Sequence, residues 1–246
     1  MSDSANTVLL IADISGYTAF MKQHAVASSH AKQIIVKLLR AMMRCAKPPL
    51  KVAELEGDAV FFFARGNASN VDRLAEQVKA QVVDLFAAFK KELHDIDSLK
   101  TCSCDACDHV HNLQLKQVMH VGAVEIERID RFEKLFGLDV ILVHRMLKNS
   151  VSANEYVMMT HPTFTRIKDF FGLEPERRKE SFEGVGEVET LVFYPTNLQH
   201  LQSQAGNGST SSALAKLLWR VKITVRTIWD LIGLGEYRGT FRNLPA

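Results

Sequence analysis

The sequence predicts an α+β domain, and three observations carry that expectation. Short runs with strand character, residues 8–11, 50–55, 59–64, 113–129, 156–160 and 187–194, alternate with segments whose apolar residues recur at helical spacing. Two of the runs are separated only by Glu56, Gly57 and Asp58, which makes a tight hairpin and therefore antiparallel pairing. Apolar residues make up 47% of a 246-residue chain, enough for one large packed domain, or one domain with an appendage. Helices gathered on one face of a mainly antiparallel sheet satisfy the order βααββαβαβαβ.

Each element has its own justification. Val8, Leu9, Leu10 and Ile11 form a continuous apolar run, as a buried strand does. Asp13 stands at its end, and Ser15 and Gly16 lead into a helical segment from Tyr17 to Lys22. A carboxylate at a strand end beside the open N–H groups of a helix start is placed to hold a cation against phosphate oxygens. The same Asp also reads as a surface cap of that helix. Ser28 opens a longer helix carrying Ile34, Ile35, Leu38, Leu39 and Met42, which ends before Pro48 and Pro49. After the hairpin, Asn67 or Ser69 caps a helix from Val71 to Leu93, whose core face is Leu74, Val78, Val82, Leu85 and Phe89. Residues 95–112 break the pattern. The strand at 113–129 contains Gly122, which marks a bend or a close backbone approach. Asp130 to Gly137 reads as a loop, Asp139 to Ser150 as a helix, and His161–Pro162 as the start of a helix reaching about Phe171. Pro195 stops the last strand.

The formal charge of +2 argues against general nucleic-acid binding. The chain shows neither a secretory signal nor an apolar run long enough for a bilayer. Three of its four cysteines crowd at Cys102, Cys104 and Cys107, unlike a secreted disulfide framework, so a cytoplasmic protein is expected.

Four fragments, in order, resemble class III nucleotide cyclases. ADISGYT at 12–18 resembles that family's first metal-binding segment, and ELEGDAVFFFA at 54–64 its Gly-Asp hairpin. HVG at 120–122 resembles its His-x-Gly strand. The pair FG at 136–137 and RM at 145–146 matches the spacing of its dimer-interface helix. EGVGEVETLVFY at 183–194 is a weaker likeness to its final Gly-x-Gly strand. The resemblance covers most of residues 7–195 and looks most like an uncharacterised bacterial branch. It implies a ferredoxin-like domain over 1–200; the Cys-rich insertion at 95–112 and the basic amphipathic helix and tail at 213–246, which follows a polar Gly/Ser-rich linker at 201–212, lie outside the family's general pattern. It also implies a homodimer that converts a nucleoside triphosphate into a 3′,5′-cyclic monophosphate and pyrophosphate, using two Mg2+ or Mn2+ ions per site.

Carried over residue by residue, Asp13 and Asp58 match the metal-binding aspartates, with the backbone carbonyl of Ile14 as a further ligand. Adjacent antiparallel strands would bring the two carboxylates together, where they repel unless a cation lies between them. Glu54, three residues before Gly57, matches a base-reading position that is Lys in adenylyl and Glu in guanylyl cyclases. Its partner position is Lys134, where the subgroups carry Asp or Cys. Glu54 could instead pair with Lys134 as a simple interface salt bridge, so the base is left open with a slight lean away from adenine. Arg145 matches the arginine that stabilises the transferring phosphate; it also reads as a surface Arg favourable to a helix carboxyl end. The family's ribose-orienting asparagine is Ile141 here and its pyrophosphate lysine is Val185. Lys148 or Arg128 could substitute. These departures support the alternative of a catalytically weak or inactive module that binds nucleotide and metal. His120 reads as a hydrogen-bonded strand histidine.

Outside the resemblance, Cys102, Cys104 and Cys107 with His109 and His111 supply enough sulfur and nitrogen for one tetrahedral zinc. A reduced loop without metal is the competing reading, and a metal or redox sensor a third function. The C-terminal helix mixes Leu214, Leu217, Leu218, Val221 and Val225 with Lys216, Arg220, Lys222 and Arg226. Such a helix either packs on the dimer or lies on an anionic membrane surface.

Overall fold

The computed structural model describes residues 5–23, 28–98 and 108–195. Its elements are β1 (Ala5–Ser15), α1 (Tyr17–Gln23), α2 (Ser28–Cys45), β2 (Lys51–Glu56), β3 (Ala59–Arg65), α3 (Val71–Ser98), a 3-10 turn (Val110–Asn112), β4 (Gln114–Ile129), β5 (Phe132–Phe136), α4 (Leu138–Arg145), β6 (Tyr156–Thr160), α5 (His161–Ile167), β7 (Glu176–Phe182) and β8 (Gly186–Phe193). They build an 8-stranded sheet in the order β2-β3-β1-β4-β6-β8-β7, with β5 paired to the far end of β4. Among the described residues β4 and β6 run parallel, and the other neighbouring strands are antiparallel.

The continuous apolar run of β1 follows from its central place. Val8, Leu10, Ala12 and Ile14 face one core, shared with α2, α3 and α5; Leu9 and Ile11 face a second, shared with α4. A strand buried on both faces has no need of alternating polarity. The sheet is therefore covered on both sides. The sequence pattern places all helices on one face, but α4 packs on the other through Leu142, Val143 and Met146. Its short length and weak amphipathicity concealed the choice of face.

Two strands escape the sequence pattern. The segment expected as a loop at 130–137 contains β5, a short overhang in which only Leu135 is buried. Edge strand β7, ERRKESF, carries charge where an apolar run would have revealed a strand, which is how an edge avoids pairing with other chains. Helix α3 continues to Ser98, into the expected break. Helix α4 stops at Arg145, short of Ser150, and α5 stops at Ile167, where Lys168 turns to φ 56°. The cysteine cluster, the linker and the C-terminal helix lie outside the described residues. Among the described residues no helix is long and apolar enough to cross a membrane.

Candidate functional site

Asp13 and Asp58 come together through the antiparallel pairing of β1 with β3. Register pairs Asp13 with Ala59, the residue after Asp58, and the Ile14 N–H donates to the Asp58 carbonyl at 3.2 Å. Gly57 sits at the first of two loop positions with φ +64°, the conformation a two-residue hairpin loop asks of glycine. The next residue, Asp58, is thereby aimed at the end of β1.

Burial, and then the charge of Asp13, push the Asp58 carboxyl from 3.8 up to about 6. A carboxyl raised in the folded state binds its proton more tightly there than in the unfolded chain, so it makes stability fall as pH rises between about 4 and about 6. Asn mimics the protonated form. Under chelation, the melting temperature of the wild type relative to Asp58→Asn is therefore expected to decline across that window. A flat difference would show that burial and the Asp13 charge do not raise the Asp58 carboxyl.

The donor set fits a divalent ion of the magnesium type, which takes one or two carboxylates from protein and completes its shell with water and substrate phosphate. Among the described residues no group of three or more His, Cys, Asp or Glu could enclose a metal by itself. Lys116 on β4 is register partner of Asp13, and its Nζ lies 2.9 Å from Asp13 Oδ2. Sequence reading missed this residue.

The base-reading positions are also brought together within one chain. Lys134 Nζ donates to Glu54 Oε2 at 2.8 Å, across β2 and β5. The hydrogen bond and charge of Glu54 raise the Lys134 pKa. Both groups line a small cavity of about 70 Å³ with Phe61, Val140 and His144. His144 is 2.8 Å from Glu56 Oε1 and 2.7 Å from the Val140 carbonyl, which ties α4 to β2.

Arg145 is the last residue of α4, and its Nη1 donates to Glu183 at 2.6 Å, in the turn between β7 and β8. That turn contains Val185, and Ile141 is exposed on α4; neither side chain can meet a phosphate or a ribose with a hydrogen bond.

The position of α4, and so of Arg145, is set by a chain of hydrogen bonds that runs from buried threonines and His120 out to the part-exposed Asp139. The Val121 N–H donates to Thr163 Oγ1 at 2.8 Å, and Thr163 and Thr160 hydroxyls are 2.8 Å apart. His120 stands between Thr160 Oγ1 on Nδ1 and Asp139 Oδ1 on Nε2, each at 2.9 Å. The Ala123 N–H donates to Asp139 Oδ2 at 2.6 Å. An ionised carboxylate only accepts, so Nε2 carries the proton toward Asp139 and every donor in the chain finds an acceptor. The hydrogen bond from His120 holds the Asp139 carboxyl below its usual range. Gly122 permits this: a Cβ there would lie 2.2 Å from Asp139 Cγ. The His-x-Gly fragment is thus the clamp of α4, and the close approach expected at Gly122 is to Asp139.

His109 precedes the 3-10 turn and His111 lies within it, their ring centroids 6.4 Å apart; Cys102, Cys104 and Cys107 lie outside the described residues.

This arrangement of sheet, hairpin and helix is the class III nucleotide cyclase domain fold. The adenylyl cyclase CyaB from P. aeruginosa superposes with a TM-score of 0.60 at 16% identity, over 78% of this chain and 96% of that one. The guanylyl cyclase Cya2 also gives 0.60 at 16% identity, over 78% and 92%. A class III adenylyl cyclase-like ATP-binding protein from Pseudomonas aeruginosa gives 0.54 at 16% identity, over 67% of this chain and 35% of its own. At such identities the likeness speaks for the fold alone. By sequence, the chain belongs to the family of the uncharacterized protein Rv2561/Rv2562 of Mycobacterium tuberculosis (strain ATCC 25618 / H37Rv), with 35% identity over 156 residues, 63% of this chain and 71% of that protein. A family model described as a protein of unknown function (DUF2652) matches residues 35–156.

Proposed function

We propose that this chain is a nucleotide cyclase, converting a nucleoside triphosphate into a 3′,5′-cyclic monophosphate and pyrophosphate at the interface of a homodimer. The observation that supports the reading is the Asp13–Asp58 pair, set by β1 and the Gly57 hairpin within a cyclase fold. In the reaction the 3′-oxygen forms a bond to the α-phosphorus, the bond to the β-phosphate oxygen breaks, and the hydroxyl proton passes to solvent. Two divalent ions held by Asp13, Asp58 and the Ile14 carbonyl would activate the 3′-hydroxyl and offset charge on the α-phosphate and leaving group. Arg145 from the second protomer would pair with that phosphate, giving up Glu183 to do so. Glu54 would accept from guanine N1–H and its amino group, with Lys134 donating to O6. Adenine has no N1–H to offer.

Self-association has support in the large apolar side chains left exposed on β2, β5 and α4: Leu55, Phe132, Phe136, Leu138 and Ile141. The expected test is complementation. Asp58→Ala and Arg145→Ala should each be inactive alone. An equimolar mixture should regain about a quarter of wild-type activity, since half the dimers are mixed and each then carries one intact site of two. A mixture as inactive as its parts would count against a shared site.

The second reading is a module that binds metal and nucleotide with little turnover. Ile141 and Val185 favour it, because each stands where a cyclase needs a polar group. Among the structural neighbours, a cyclase-like protein described as ATP-binding shares this fold.

A further inference from the structure

Resting on the reading of Asp13 and Asp58 as a cation site, we propose that Lys116 is a tethered cation occupying part of that site, so that the nucleotide-free chain binds a divalent ion weakly and must displace Lys116 to load it. The placement is built by the sheet. Asp13 on β1 and Lys116 on β4 are direct antiparallel partners, and Lys116 is in turn the parallel partner of Tyr156 on β6. The ammonium lies 2.9 Å from Asp13 Oδ2, with side chains only 21% and 14% exposed. Its second contact is the Leu147 carbonyl at 3.5 Å, just beyond α4. The lysine therefore bridges the metal-binding strand to the end of the helix that carries Arg145.

Charge decides the consequence. Two ionised carboxylates offer two negative charges, and Lys116 cancels one in a place where water screens little. An incoming divalent ion must separate an established ion pair and then sit near a positive charge. Lysine suits such displacement: its flexible stem lets the ammonium swing away, where a planar arginine fork is held to fixed geometry. Loading would move Lys116 off Leu147 and so loosen one tether of α4, coupling cation binding to the helix of the second catalytic group.

The test is a titration of Mn2+ into the full chain without nucleotide, followed by the paramagnetic resonance signal of free Mn2+. Lys116→Met keeps the stem and removes the charge; its Mn2+ affinity is expected to rise at least tenfold, on the order of one ion-pair interaction in a partly buried place. Asp58→Asn should abolish binding, alone and combined with Lys116→Met. If Lys116→Met binds no better than wild type while Asp58→Asn still abolishes binding, the lysine inference fails and the cation site stands. If no variant binds Mn2+, the cation site fails and takes the inference with it. A measurement on the unaltered chain guards against misfolding: amine acylation of Lys116, read by peptide mass, should increase when Mn2+ is added. Unchanged labelling at saturating Mn2+ would overturn displacement.

Discussion

Asp58→Asn is expected to lower cyclase turnover on the order of a thousandfold and to remove the stabilisation that manganese with nucleotide gives the fold. One preorganised charge-stabilising group is typically worth about a hundred- to a thousandfold, and losing a ligand of a shared cation site should reach the upper end. The structure concentrates the effect on this carboxylate. Asp13 is partly neutralised by Lys116, whereas Asp58 faces the Asp13 charge with its own pKa pushed up to about 6. It is therefore the group whose ionised form gains most from a nearby cation. The variant itself should fold well, since Asn relieves that repulsion. Isothermal calorimetry of Mn2+–nucleotide binding and thermal melts with and without both ligands check the expectation. Unchanged binding in Asp58→Asn and in Asp13→Asn would remove the metal site.

Gly122→Ala has the largest expected effect on the fold. The new methyl would meet Asp139 at 2.2 Å from Cγ and 2.4 Å from Oδ2, contacts that backbone adjustment on a central strand cannot open. Asp139 would have to leave, stripping His120 Nε2 and the Ala123 N–H of their acceptor. Overpacking costs about 1–3 kcal/mol and a buried donor left unpaired adds about as much. A loss of about 3 kcal/mol lowers the melting temperature of a domain this size by roughly 6–12 °C. Asp139→Ala should be milder, because it leaves the unpaired donors without the clash. If Gly122→Ala melts like wild type, α4 is not held by this clamp.

What the sequence revealed was mostly what short stretches determine. The strand end at Asp13 and the Gly57–Asp58 turn are local, each written in a few adjacent residues. Gly122 announced a close approach because a glycine in a strand otherwise weakens it, although its partner could not be named. What stayed hidden depends on which strands become neighbours. Lys116 looks like an ordinary polar strand residue until β4 is laid beside β1, and Glu183 meets Arg145 only when the turn between β7 and β8 folds over α4. Strand β7 was illegible for a different reason: an edge strand protects itself with charge and so erases the alternation that would reveal it. The face chosen by α4 was equally hidden, since the buried pair Leu142 and Val143 is too short to show a helical stripe.

The central claim is turnover at the Asp13–Asp58 site, and the most direct measurement is incubation of the full chain with manganese and each of ATP, GTP, CTP and UTP, followed by mass detection of cyclic monophosphates. Ile141 and Val185 each forgo a stabilising group, but such losses need not add when the groups act on one transition state. Slow formation of a cyclic product is therefore expected, with GTP ahead of ATP because Glu54 would accept from the guanine edge, and with no product from Asp58→Asn. Tight binding of metal and nucleotide with no cyclic product after long incubation would contradict the claim and leave the chain as a nucleotide-binding module.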